Sequence, residues 1–334
     1  MAGGRGERFW PLSRIDHPKQ FLCLTTDKES MIQKTVNRVL PLVDINDIYV
    51  LTNELYKDKV LEHLPNLPKE NIVLEPVAKN TAPAIELGLE KVKEKYDDAA
   101  VIVLPSDHLI KDEKEFRNVL SKGVEFASKN KAIITIGITP NEPNTGYGYI
   151  KLGNGKDIYK VDSFKEKPSL EVAKSYLKEG GYVWNAGMFI FTIKTMDEAF
   201  KKYLPKQYEI ISKDTSKFNE VESISIDYGI MEKADNIFSI PGDFGWDDVG
   251  SYLALERINP MDKDNNVIQN KDTVTLDTKG TIIKGTNKKL IATLGVSDLV
   301  IVETDDVILV ADKNKTGDIK KLLEEVKKQN QEKL

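Results

Sequence analysis

Four short apolar runs, each set against a segment of helical period, constrain the first half of this chain more than any other feature. The runs are Ile48-Tyr49-Val50-Leu51-Thr52, Ile72-Val73-Leu74, Ala100-Val101-Ile102-Val103-Leu104 and Ala132-Ile133-Ile134-Thr135-Ile136-Gly137. They lack polar alternation, as strands covered on both faces do. Helical spacing recurs near 30–40, 54–64, 81–96 and 113–129, and in the third segment Ala84, Leu87, Gly88, Lys91 and Val92 form a small-or-apolar stripe. That order predicts an α/β fold, a doubly wound, mostly parallel sheet of Rossmann-like kind, with ligands beyond the carboxyl ends of the strands.

From about residue 260 the texture changes. Residues 260–266 are polar and turn-rich, and short strands follow at 273–276, 281–284, 289–293, 299–303 and 307–311. A closing helix carries Ile319, Leu322, Leu323 and Val326 on one stripe. The division expected is a large domain over 1–259 and a small β-rich module with a closing helix over 260–334. The helix stripe needs a partner, in the chain or on a second subunit, and a homodimer through this module is the expectation.

The opening residues carry the first chemistry. Gly3, Gly4 and Gly6 permit positive φ and close approach of a ligand, and successive amide N–H groups in such a turn form an anion site. Arg8 and Lys19 add a planar fork and a point charge. The Gly-Lys-Ser/Thr ending of a P-loop is absent, and Phe9 stands where a dinucleotide fingerprint needs its last glycine. A glycine phosphate loop normally follows a strand, yet Met1 and Ala2 precede Gly3 directly. A first strand is therefore expected upstream, with Met1 an internal methionine of a longer chain.

Bulk properties narrow the classes. A net charge of −5 argues against a general nucleic-acid binder, so a bound polyanion needs local cations. No run of eighteen apolar residues predicts a membrane span, and no basic-then-apolar start predicts a secretory signal. The single cysteine, Cys23, excludes an internal disulfide, suits a reducing cytoplasm and reads as a packing residue.

Two acidic positions are candidates for a divalent cation. Asp107 closes the apolar strand at 100–104, where this fold places its ligand crevice; a turn-capping role is equally open. Asp248 lies in Gly245-Trp246-Asp247-Asp248-Val249-Gly250, and one aspartate of the pair can cap while the other binds metal. Glu166 and Lys167 end a strand beginning near Ile158, either as sugar and phosphate ligands or as an exposed ion pair. Asn185, in Trp184-Asn185-Ala186-Gly187-Met188-Phe189, can both donate to and accept from sugar hydroxyls. Gly148 lies in a glycine-containing turn.

Together these segments resemble the sugar-nucleotide pyrophosphorylases, and among them the mannose-1-phosphate guanylyltransferases. The likeness runs from Ala2 to about Glu256. It rests on Ala2-Gly3-Gly4-Arg5-Gly6-Glu7-Arg8-Phe9-Trp10-Pro11-Leu12-Ser13, on Glu75-Pro76-Val77-Ala78-Lys79-Asn80-Thr81-Ala82-Pro83-Ala84, on Ser225-Ile226-Asp227-Tyr228 and on the motifs above. The second segment is the guanylyl-specific signal. The resemblance implies GTP plus α-D-mannose 1-phosphate giving GDP-mannose and pyrophosphate, by in-line attack assisted by Mg²⁺. It implies that Ala2, Gly3, Gly4 and Gly6 cradle phosphates and that Asn80 and Thr81 contact guanine. Arg8 and Lys19 would neutralise the triphosphate, and Asp107 and Asp248 would hold the metal. Lys167 would grip the sugar phosphate, with Glu166, Asn185 and Gly148 on the sugar. Another hexose-1-phosphate nucleotidyltransferase, or a silent sugar-nucleotide-binding homologue, are the alternatives; no isomerase activity is expected.

Overall fold

A computed structural model describes residues 1–25 and 28–334, which form two compact units that do not follow the chain linearly. One unit comprises Met1–Gly3, Val36–Pro105 and Ile110–Trp246; the other comprises Gly4–Thr35, Ser106–Leu109 and Asp247–Leu334.

In chain order the elements are α1 (Met31–Val39), β1 (Val50–Asn53), α2 (Lys57–His63), β2 (Ile72–Glu75), α3 (Thr81–Lys93), β3 (Ala100–Val103), α4 (Glu113–Lys129) and β4 (Ile133–Ile138). There follow β5 (Tyr149–Gly155), β6 (Tyr159–Lys165), α5 (Leu170–Glu179), β7 (Tyr182–Thr192), α6 (Ile193–Tyr203), α7 (Pro205–Lys213) and β8 (Ile237–Gly242). The chain ends with α8 (Ala254–Ile258), β9 (Val267–Gln269), β10 (Thr273–Leu276), β11 (Ile282–Lys284), β12 (Ile291–Leu294), β13 (Leu299–Glu303), β14 (Ile308–Asp312) and α9 (Ile319–Gln329).

The larger unit is an α/β fold. Its six-stranded sheet has the order β3-β7-β4-β8-β6-β5, and both faces are covered. On one face Phe116, Val119 and Leu120 of α4 pack with Ile134, Ile136, Ile190 and Ile240. On the other, Ile85 and Leu89 of α3 and Met196 and Phe200 of α6 pack with Ile133, Phe189 and Phe191. Double coverage explains why β4 reads as continuous apolar sequence. α3 buries more of its circumference than its predicted stripe, including Glu86, which is fully buried.

The parallel expectation holds for β1 with β2, for β4 with β8 and for the shared direction of β3 and β4. The exceptions are β7, antiparallel to β3, β4 and β5, and β6, antiparallel to β5 and β8: the β5–β6 excursion and α5 bring the chain back reversed between β3 and β4. β3 is only half-buried throughout, although its sequence promised full cover. It pairs with β7 on one side, while the Met1 amino group donates to Leu104 O (2.9 Å) at its end. Ala2 N–H in turn donates to Leu51 O of β1 (2.7 Å), so residues 1–3 lie between β1 and the end of β3.

In the second unit β9, β11 and β13 are parallel neighbours, and β10 pairs parallel with β12. The register Val267↔Ile282↔Val300 stacks three side chains no more than 1% exposed, the inward ladder of a β-helix-like module. Buried Asn266 holds its turns, donating to Thr278 O and accepting from Thr281 N–H, both at 2.9 Å. α9 lays Ile319, Leu323 and Val326 onto the cluster that contains these strands, so its stripe finds its partner inside the chain. The helix stripe is therefore no ground for a dimer, contrary to expectation. Apolar residues remain exposed instead on the strands: Val274, Leu276, Leu294, Ile308 and Val310. Cys23 is exposed, not packed, because Leu22 and Leu24 on either side both turn inward. No helix among the described residues is long and apolar enough to cross a membrane.

Candidate active site

The second unit brings Gly6, two of the basic candidates and both acidic candidates around one cavity of about 500 Å³; Gly3 and Gly4 are not among its lining. Gly6, Arg8, Lys19, Asp107 and Asp248 line it. Gly6 has φ 60°, and a β-carbon there would lie 2.3 Å from Lys19 Cβ, so no larger residue fits. The turn after it is pinned from below. Ser13 Oγ donates to Gly6 O (2.8 Å), Phe9 is fully buried, and the buried Tyr252 hydroxyl donates to Phe9 O (2.7 Å) with the rings 5.1 Å apart. Burial keeps the Tyr252 phenol neutral, raising its pKa.

Lys19 joins the two acidic segments. Its buried ammonium donates to Asp107 Oδ2 at 2.9 Å and to the Asp248 carbonyl oxygen at 2.7 Å. Burial alone would raise the Asp107 pKa, but the Lys19 and His108 charges outweigh it and hold the carboxyl below its usual range. The aspartate pair is divided as the sequence allowed. Asp247 accepts from Val249 N–H (2.7 Å) and from Arg257 Nη2 (3.0 Å), a structural role, while Asp248 lines the cavity. Val249 has φ 46°, a left-handed conformation costly for a β-branched residue, directly after Asp248.

No cluster of three or more acidic, histidine or cysteine ligands occurs among the described residues. Two carboxylates on a polar cavity suit a hard cation that completes its shell with phosphate oxygens and water, as Mg²⁺ does.

The first unit gathers the other set. Asn185 N–H donates to Gly148 O (2.8 Å), and a β-carbon on Gly148 would lie 2.5 Å from Glu166 Oε2. Glu166 Oε1 accepts from Lys167 Nζ (2.7 Å); the glutamate side chain is 10% exposed and the lysine 61%. The pair is an ion pair, with the glutamate end built into the fold and the lysine end exposed. Lys167 has φ 44°, and Glu166 holds its ammonium above the usual pKa against the opposing effect of burial.

Asn185 is aimed by a bulge. Between Thr135↔Phe189 and Gly137↔Asn185, β7 spends extra residues, with Gly187 at φ 66°. Its amide is then fixed: Oδ1 accepts from Thr135 Oγ1 (2.8 Å) and Gly187 N–H (3.1 Å), and Nδ2 donates to Asp227 Oδ1 (2.8 Å). Asp227 has its pKa pushed up to about 6 by burial and then by the Glu166 charge.

The base-binding candidates sit at the start of α3. Asn80, at φ 73°, caps the helix, its Oδ1 accepting from Thr81 N–H (2.9 Å). Thr81 Oγ1 accepts from Ile226 N–H (2.9 Å), so this hydroxyl ties α3 to the Ser225–Tyr228 segment and keeps its own O–H to donate. Ala2 and Gly3 lie in this unit, and a β-carbon on Gly3 would lie 3.2 Å from Glu75 Oε1.

Three residues were passed over in sequence. Asp227 was quoted only as part of a motif, and its buried carboxyl becomes visible through Asn185. Glu75 opens the guanylyl-specific segment; it is half-buried at the end of β2, and burial pushes its pKa up to about 7. Lys320, within the α9 periodicity, lines the same cavity as Gly6, Arg8 and Lys19.

Comparison with known proteins shows the family. The nucleotidyl transferase family model matches residues 1–265, and the MannoseP isomerase/GMP-like beta-helix domain matches 271–326. The mannose-1-phosphate guanylyltransferase of Escherichia coli (strain K12) is 38% identical over 98% of this chain and 72% of its own length. A putative mannose-1-phosphate guanylyltransferase of Vibrio cholerae is 38% identical over 99% of this chain and 74% of its own. A crystal structure from Thermus thermophilus, described as a mannose-1-phosphate geranyltransferase, has a TM-score of 0.89 at 35% identity and covers 98% of both chains.

Proposed function

The chain belongs to the nucleotidyltransferase family, among the mannose-1-phosphate guanylyltransferases, and from that premise we infer that it transfers GMP from GTP to α-D-mannose 1-phosphate. A phosphate oxygen of the sugar phosphate attacks the α-phosphorus in line, the bond to the β-phosphate bridging oxygen breaks, and pyrophosphate leaves as GDP-mannose forms. The observation that carries the reading is the Lys19 ammonium, held between Asp107 and the Asp248 backbone on the wall of a glycine-built cavity.

Charge neutralisation and positioning supply the catalysis. Gly4 and Gly6 with the adjacent amides cradle phosphates, and Arg8 and Lys19 face the triphosphate. Asp107 and Asp248 fit Mg²⁺, which when bound neutralises phosphate charge. Family members generally work with a divalent metal ion. Lys167 takes the phosphate of mannose 1-phosphate, while Glu166, Asn185 and the Gly148 backbone take sugar hydroxyls. Asn80 and Thr81 frame the base through backbone groups. The Glu75 carboxylate, next to Gly3, accepts from N1–H and the 2-amino group of guanine, a donor pair that adenine and the pyrimidines lack.

The same reading includes a division of the chain near 259, a homodimer through the exposed strand residues of the C-terminal module, and a cytoplasmic location. Light scattering reads the dimer as twice the chain mass. The functional test is pyrophosphate release with each common nucleoside triphosphate against mannose and glucose 1-phosphates. GTP with mannose 1-phosphate is expected to lead; equal rates with another pair would replace the assignment.

A further inference from the structure

The phosphate cavity receives one side chain from the C-terminal module. Lys320, in the first turn of α9, lines it together with Gly6, Glu7, Arg8 and Lys19. Its backbone is fixed because its neighbour Ile319 is 3% exposed and packs in the same apolar cluster as Phe9 of the glycine turn. The ammonium itself is not fixed: the side chain is 61% exposed and pairs with Glu7 Oε2 at 3.3 Å. An exposed pair of this kind contributes little to stability, so the lysine can exchange partners at small cost.

Of the other cations of the cavity, Arg5 is exposed and lies 4.0 Å from Glu7 Oε1, whereas Lys19 and Arg8 are engaged by the fold. Lys19 is bound to Asp107 and to the Asp248 carbonyl, and Arg8 Nη1 donates to Gly250 O at 3.4 Å. We propose that Lys320 binds the outer phosphates of the nucleoside triphosphate, and then the pyrophosphate leaving group, by exchanging Glu7 for phosphate oxygens. The β-rich module is then part of the site and not only an attachment to it. This rests on the nucleotidyltransferase reading for its substrate, but the lysine can be tested without turnover.

The full-length chain is titrated calorimetrically with inorganic pyrophosphate, as wild type, Lys320→Met and Lys320→Arg. Lys320→Met should weaken binding about tenfold or more, as expected for one charge-assisted hydrogen bond, and Lys320→Arg should keep most of the affinity. In steady state the methionine variant should raise KM for GTP and leave KM for mannose 1-phosphate unchanged. A melting temperature within a few degrees of wild type separates this from misfolding. Equal pyrophosphate affinity in Lys320→Met and wild type overturns the inference, whatever the turnover. Weakened pyrophosphate binding in a protein that does not turn over GTP and mannose 1-phosphate would instead uphold Lys320 and remove the substrate assignment.

Discussion

The cavity around Lys19 and the cluster around Asn185, proposed above to hold phosphates and sugar hydroxyls, are held in shape by different means. In the cavity the backbone does the shaping: Gly6 and Val249 sit in left-handed conformations, and Lys19 is locked between a carboxylate and a carbonyl. On the sugar side a relay of side chains does it, from Thr135 through Asn185 to Asp227. The electrostatics differ in sign as well. Asp107 is held below its usual pKa by a cation in contact, whereas Asp227 is pushed up to about 6 by burial and the Glu166 carboxylate, which outweigh a backbone hydrogen bond, the Lys167 charge and the Asn185 amide. A site dominated by fixed charge suits a polyanion; one with a carboxyl near its titration midpoint suits neutral hydroxyls.

The sharpest way to break the contrast is a single methyl group. Gly6→Ala should cost roughly 2 kcal/mol or more from its left-handed conformation and the collision with Lys19, with turnover down about a hundredfold because Lys19 is displaced. Gly4→Ala, with no atom within 4 Å of the added carbon, should melt like wild type. Melting curves for the two variants check this; equal effects would mean that the backbone is not the constraint.

A smaller effect tests the side-chain cluster. Lys167→Met should raise KM for mannose 1-phosphate about tenfold to a hundredfold while KM for GTP stays within twofold, read by initial rates. If both constants rise together, the two regions do not divide the substrates as described.

The smallest effect is a pH signature. Asp227 has a folded pKa of about 6, above its ordinary 3.8, so its contribution favours the fold most below pH 4 and is lost as pH rises through 6. Asp227→Asn cannot ionise. Its melting temperature relative to wild type should therefore improve by a few degrees between pH 4 and pH 7, a trend that a structural role of Asn185–Asp227 alone would not produce.

Much of this was legible in sequence, for identifiable reasons. Period and β-branched runs located α4 and β4 because burial on both faces leaves no polar alternation to confuse. The glycine turn and the acidic pair were legible because Gly6 and Asp107 answer local demands of backbone and charge. What was not legible depends on pairing across the chain. Nothing in Tyr182–Thr192 announces that β7 runs backwards between two parallel strands, and that reversal creates the bulge that aims Asn185. The helical period of α9 gave its apolar stripe but not that Ile319, Leu323 and Val326 meet the core cluster of their own unit, nor that Lys320 faces a phosphate cavity. The partner of Thr81, the Ile226 N–H, was not legible because it is far away in sequence.

The most direct measurement counts divalent ions. Titration of the full chain with Mn²⁺ in the presence of GTP, followed by electron paramagnetic resonance, should find one tight ion per chain in the wild type. That ion should be lost in Asp107→Ala and equally in Asp248→Ala. An ion retained at wild-type affinity in either variant would contradict the account, since the two carboxylates would not then share it.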